Sequence, residues 1–179
     1  MRAARRSSWL ALGLLLALGC RKNRWLETHA TELNVNGFVA PIPDGWRDLH
    51  ELVVQPGVSL PQGSRTLLIE RADAVGEIDV IPLALLAVGD SQCEHIGEAA
   101  NLMGGSNGAK LEGAESATFD GDPGCLMKVT VQGLHGTLAI RSHARHTVIV
   151  RCLSGPGAQS GEVDYACDKV LYGLHLSSP

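Results

Sequence analysis

The chain has 179 residues, 45% hydrophobic and 19% charged, with a formal net charge of −4, a composition that excludes low-complexity, collagenous and strongly basic classes. Setting aside the first 19 residues removes Arg2, Arg5 and Arg6 and leaves 12 basic against 19 acidic side chains, a net of −7 with histidines neutral. Nucleic acid is not an expected partner, because binding it needs a basic footprint, and the remaining 160 residues have the size of one domain with a substantial core.

The basic start is followed by an apolar stretch, Trp9 to Gly19, of eleven residues. A transmembrane helix needs about 20, so residues 1–19 read as an export signal. Ala17 and Gly19 suit an ordinary signal peptidase, which would leave Cys20 as a free N-terminal residue. Gly19-Cys20 also resembles the lipobox of bacterial lipoproteins, although Ala17 stands where that motif prefers Leu and Leu18 where it prefers Ala or Ser. Arg5-Arg6 departs from a twin-arginine signal at Ser8.

The lipobox resemblance implies acylation of Cys20. It also implies a membrane partner through that anchor and a domain outside the cytoplasm, at the outer membrane ahead of the inner. Cysteine parity agrees: of five cysteines, assigning Cys20 to lipid leaves Cys93, Cys125, Cys152 and Cys167, which can pair in an oxidising compartment. Residues 20–31 are polar and suit a tether, with an ordered first turn as the alternative for Arg21 to Thr31, and residues 32–179 form the domain.

In chain order, ELNVNGFVAPIPDGW (residues 32–46) reads as a strand running into a tight hairpin. Ile42-Pro43-Asp44-Gly45 supplies the residues of a type I turn, and Trp46 reads as a packing residue. TLLIERA and EIDVIPLALLA read as two further strands joined through Asp73 to Gly76, with the apolar run Ile81 to Val88 open to either a buried strand or a short helix. Pro82 lacks an amide donor and is expected at an edge or bulge. Asp90 or Ser91 caps a helix to about Met103, ended by Gly104-Gly105.

AESATF and CLMKVTVQ flank a hairpin over Asp120 to Gly124, with Cys125, Met127, Val129 and Val131 on one face. TLAIR and TVIVRCL follow, separated by Ser142 to His146, with Val148, Val150 and Cys152 pointing one way. Ser160 caps a last helix with Val163, Ala166, Cys167, Val170, Leu171 and Leu174 in one stripe. Gly173 ends it, and LHLSSP is a docked tail.

Tight turns make neighbouring strands antiparallel, so the expected fold class is α+β: an antiparallel sheet with helices packed on its faces. On GFVAPIPDGW and on this element order the domain resembles the PsbP/DcrB-like group, which includes bacterial lipoproteins of the LpqN type. The resemblance implies a sandwich of that kind and an accessory or binding role without catalytic residues.

Two of the domain cysteines lie on helices and two on strands, each on the buried side of its element, so each helix can be stapled to the sheet. Of three pairings, Cys152 with Cys167 and Cys93 with Cys125 is preferred, because partners adjacent in order need least rearrangement. Buried free thiols would show the same pattern.

His143 and His146 are placed on opposite faces by regular strand geometry and read as a solvated hairpin tip. Cys93 and His95 point apart on one helix, so no metal site is expected. GGSNGAK lacks the Gly-Lys-Ser/Thr of a phosphate loop, and no nucleophile elbow or His-Glu-x-x-His helix occurs. The reading is a non-catalytic binding or accessory lipoprotein with no cofactor and a protein partner in the envelope. The alternatives are a small-molecule carrier and a hydrolase with a dispersed site.

Overall fold

The computed structural model of the chain describes residues 31–35, 37–49, 60–83, 93, 110–143 and 146–176. The export signal, Cys20, almost all of the tether and, apart from Cys93, the helix expected before Gly104 lie outside the described residues. So do residues 104–109 of GGSNGAK, His50 and His95, whereas Lys110 at the end of that segment is a strand residue.

Among the described residues the strands form two sheets. The smaller holds β1 (Glu32–Val35), β2 (Phe38–Pro41) and β10 (His175–Leu176), in the order β1-β2-β10. The larger contains β3 (Trp46–Asp48), β4 (Arg65–Ile69), β5 (Gly76–Leu83), β6 (Lys110–Phe119), β7 (Asp122–Val131), β8 (Leu134–His143) and β9 (His146–Ser154). Its order is β3-β4-β5-β9-β8-β7-β6, and every pairing is antiparallel. One α-helix, Ser160–Gly173, completes the described elements. The fold is therefore dominated by antiparallel sheet, with a helix on one face.

Local chemistry explains the long meander from β6 to β8. Asp120 and Gly121 both have positive φ (50° and 89°), as do Gln132 and Gly133 (50° and 83°), the signature of two-residue type I′ hairpins whose twist matches the strands they join. The first turn is tighter than the Asp120 to Gly124 loop expected from sequence, because Asp122 to Gly124 already pair with β6, and Gly124 with β8 as well.

Two further expectations are corrected at Pro43. The bonded turn runs one residue later, from the Trp46 amide to the Pro43 carbonyl (3.1 Å), with Gly45 at φ 79°. It is not a hairpin: β2 and β3 belong to different sheets, so the turn carries the chain between layers. The hairpin of that stretch joins β1 to β2 at Gly37, whose φ is 87°. Pro82 pairs opposite Val148 inside the sheet, but β4 follows β5 only as far as Val80, so Pro82 sits where that side of β5 has become an edge.

Strand alternation divides the larger sheet into two unlike faces. On the first, Leu67, Ile78, Val80, Ala139, Val148, Val150 and Cys152 are buried with Leu33, Val35, Phe38 and Ala40 of the smaller sheet and with the helix stripe Val163, Ala166, Cys167, Val170, Leu171 and Leu174. The helix starts one residue beyond its expected cap: Gln159 is the N-cap, without a side-chain hydrogen bond, and Ser160 is already helical. The docked tail is a strand, with His175 opposite Val39 and Leu176 opposite Phe38. On the second face Ile81, Cys125, Met127, Val129, Leu138, Ile140, Ile149 and Leu153 form a separate apolar cluster, against which Leu60 and Cys93 pack.

Candidate functional site

The four domain cysteines meet in two disulfides, Cys93–Cys125 and Cys152–Cys167, with Cα atoms 5.5 and 5.9 Å apart. One fastens the helical residue Cys93 to β7 on the second face. The other fastens the Ser160–Gly173 helix to the central strand β9 on the first. Each thus ties a helical residue to the sheet.

The histidines expected at a solvated tip are ordered by neighbours. His143 and His146 face each other across the β8–β9 register, so a hairpin places on one side what a single strand would place on two. His143 donates from Nδ1 to Asp122 Oδ1 (2.7 Å), while Asp122 Oδ2 accepts from Arg141 Nε (3.0 Å) and Nη2 (2.9 Å). Arg141 Nη1 donates to the Leu171 carbonyl (3.1 Å), which ties the last turn of the helix to β8. His146 stacks edge-on against Phe38, with ring centroids 5.9 Å apart. Trp46 is buried and packs in the core. Among the described residues no group of three or more His, Cys, Asp or Glu is placed to hold a metal ion.

A second ionic cluster lies inside the sheet. Register puts Thr66 beside Asp79 and Asp79 beside Arg151. Asp79 Oδ2 accepts from Arg151 Nε (2.8 Å) and Nη2 (2.6 Å), and its Oδ1 accepts from the Thr66 hydroxyl (2.6 Å). Glu77, two residues along the same strand face, accepts from Nη2 as well (2.9 Å). One guanidinium thus serves two carboxylates in a setting where Asp79 is 1% and Arg151 5% exposed. Burial, then the charge of Asp79 and a hydrogen bond to it, push the Glu77 carboxyl up to about 7 in spite of Arg151.

Sequence reading missed this cluster and the one at Arg141. The signal was present: Arg151 interrupts the apolar run VIVRCL, and Glu77 and Asp79 alternate with Ile78 and Val80 in EIDV. A charge inside an otherwise buried strand needs a partner on the neighbouring strand.

The surface differs in kind from these satisfied interiors. Tyr165 and Tyr172, on the outward side of the helix, are 63% and 49% exposed. Lys169 Nζ lies 5.0 Å from the centroid of the Tyr165 ring, and Tyr172 meets Phe119 edge-on at 5.8 Å. Spaced seven apart on one helix, these rings fall on one side of it.

No protein-family model matches the chain, and no curated protein matches it. Among solved structures it is similar to the solution structure of cyanobacterial PsbP (CyanoP) from Synechocystis sp. PCC 6803, with a TM-score of 0.52 and 18% sequence identity over 79% of this chain and 87% of that one. At that identity the likeness shows the fold: a PsbP-like domain.

Proposed function

We propose that this chain is a bacterial envelope lipoprotein, anchored through acylated Cys20, whose PsbP-like domain binds another envelope protein as an accessory module. The observation that carries the binding reading is the outward side of the Ser160–Gly173 helix, where Tyr165 and Tyr172 stand in solvent. Exposed aromatic side chains with a polar edge are the residues that anchor protein interfaces. The buried ionic side chains, by contrast, are spent on one another and on the helix terminus.

The anchor is supported by Gly19-Cys20 at the end of the apolar run and by the parity of the cysteines. The oxidising compartment is supported by both disulfides. No helix among the described residues is long and apolar enough to cross a membrane.

Two measurements test this reading. Metabolic labelling with a fatty acid marks the wild type and leaves Cys20→Ser unlabelled; equal labelling of both, or of neither, overturns the anchor. Co-purification from crosslinked envelopes recovers a protein partner that the double variant Tyr165→Ala/Tyr172→Ala loses while keeping its fold. Unchanged recovery overturns the helix surface. Loss of phenotype on changing His143 or His146 alone, in a folded and exported chain, favours the enzyme reading.

A further inference from the structure

The two disulfides differ in the access they offer to a thiol. Cys152 lies on β9, the central strand of the larger sheet. It is 1% exposed, and its partner Cys167 is 4% exposed beneath the helix, so neither sulfur offers an approach. Cys125 is equally buried but lies on β7, next to the edge strand β6, and its register partner there is the exposed Ser116. Cys93 is half-buried, and its Sγ lies 3.7 Å from the Ser116 hydroxyl. That contact puts one sulfur of this bridge at the solvated rim of the sheet.

We propose that Cys93–Cys125 is a thiol-exchange site, entered at Cys93 by a dithiol of the oxidoreductase class, while Cys152–Cys167 is a closed structural bridge. A thiolate of the dithiol attacks Cys93 Sγ and the Cys93–Cys125 bond breaks. Cys125 leaves with the electron pair and takes a proton from solvent at the β6 edge. The second thiolate of the dithiol then attacks its own partner sulfur and releases Cys93, so the dithiol is oxidised to a disulfide by two electrons and the protein gains two thiols. Opening removes the covalent hold of Cys93 on the second face and leaves the helix fastened to the first.

The site does not depend on lipid anchoring or on the tyrosine surface, and it is tested on the oxidised full chain. Graded dithiothreitol, followed by alkylation and non-reducing peptide mapping, labels Cys93 and Cys125 at a concentration at least about tenfold below that which labels Cys152 and Cys167. Glutathione alone forms its mixed disulfide on Cys93, and Ser116→Phe, which adds bulk at the entry, slows the first step several-fold. Opening of Cys152–Cys167 first, release of both bridges in one step with loss of the circular dichroism of the fold, or glutathione trapped on Cys125 overturns the proposal.

Discussion

The two faces of the larger sheet are both apolar and treat charge differently. On the helix face Arg141 is as buried as Arg151, but its partner Asp122, with a side chain 15% exposed, reaches the rim, and its other bond goes to the end of the helix. On the other face Asp79 and Arg151 are enclosed, with Glu77 as the route to solvent at 28% side-chain exposure. The helix face is thus a conventional core closed by a covering element. The second face depends on a polar cluster whose members cannot be removed singly, because in a low-dielectric interior an unpaired charge costs far more than a pair contributes.

The largest expected effect breaks that pairing. Arg151→Leu leaves two carboxylates without their cation and lowers stability by about 3–5 kcal/mol, measured by urea denaturation of the oxidised domain. Adding Asp79→Leu and Glu77→Gln recovers most of the loss, since the desolvation cost goes with the charges. Arg141→Leu costs about 1.5–3 kcal/mol, because Asp122 can turn toward water. An Arg141 variant that is the more damaging of the two would reverse the contrast between the faces.

Removing the staple of the helix face comes next. Cys152→Ala/Cys167→Ala releases a loop of 15 residues and costs about 3 kcal/mol on the loop-entropy estimate. The helix keeps its apolar stripe, so the same denaturation experiment should show a lower midpoint with cooperativity preserved.

The third effect is a pH dependence confined to the second face. Glu77 has its carboxyl raised from 4.5 to about 7 in the fold, so the folded state binds the proton more tightly than the unfolded chain does. Its contribution is fully present below about pH 4.5 and is lost as pH rises through about 7, to an extent on the order of 3 kcal/mol at most. Glu77→Gln flattens this part of the stability profile, and changes on the helix face leave it in place. A wild-type profile that rises over the same window would contradict the raised Glu77 carboxyl.

How much of this was legible in the sequence follows from the range of each signal. Period-two alternation put Cys125, Met127 and Val129 on one side of their strand and Val148, Val150 and Cys152 on one side of theirs, and period 3.6 gave the helix stripe, because both are set within a few residues. The charges inside apolar strands were legible but their pairing was not, since Glu77 and Asp79 meet Arg151 only through a register between strands more than 70 residues apart. The turn at Pro43 shows the same limit: its residues announce a reversal, but whether β3 rejoins β2 or crosses to another sheet depends on where β4 lies. β6 begins at Lys110, before the AESATF segment, because Gly113 takes a positive φ of 57° at a bulge and interrupts the alternation.

The smallest effect on stability falls on the surface proposed to bind. Tyr165→Ala and Tyr172→Ala should each change the free energy of unfolding by no more than about 0.5–1 kcal/mol, while weakening partner recovery more than any change to the enclosed cluster that preserves the fold.

Site-specific photocrosslinking in the full-length chain tests the central claim most directly. A photoreactive residue at Tyr165 or Tyr172, compared with one at the exposed Glu115 of β6, should trap a discrete envelope protein from the helix positions and not from β6, and the adduct should diminish with Cys20→Ser. Equal adducts from Glu115, or none from either helix position in an exported and folded chain, would contradict a binding module that presents this helix to its partner.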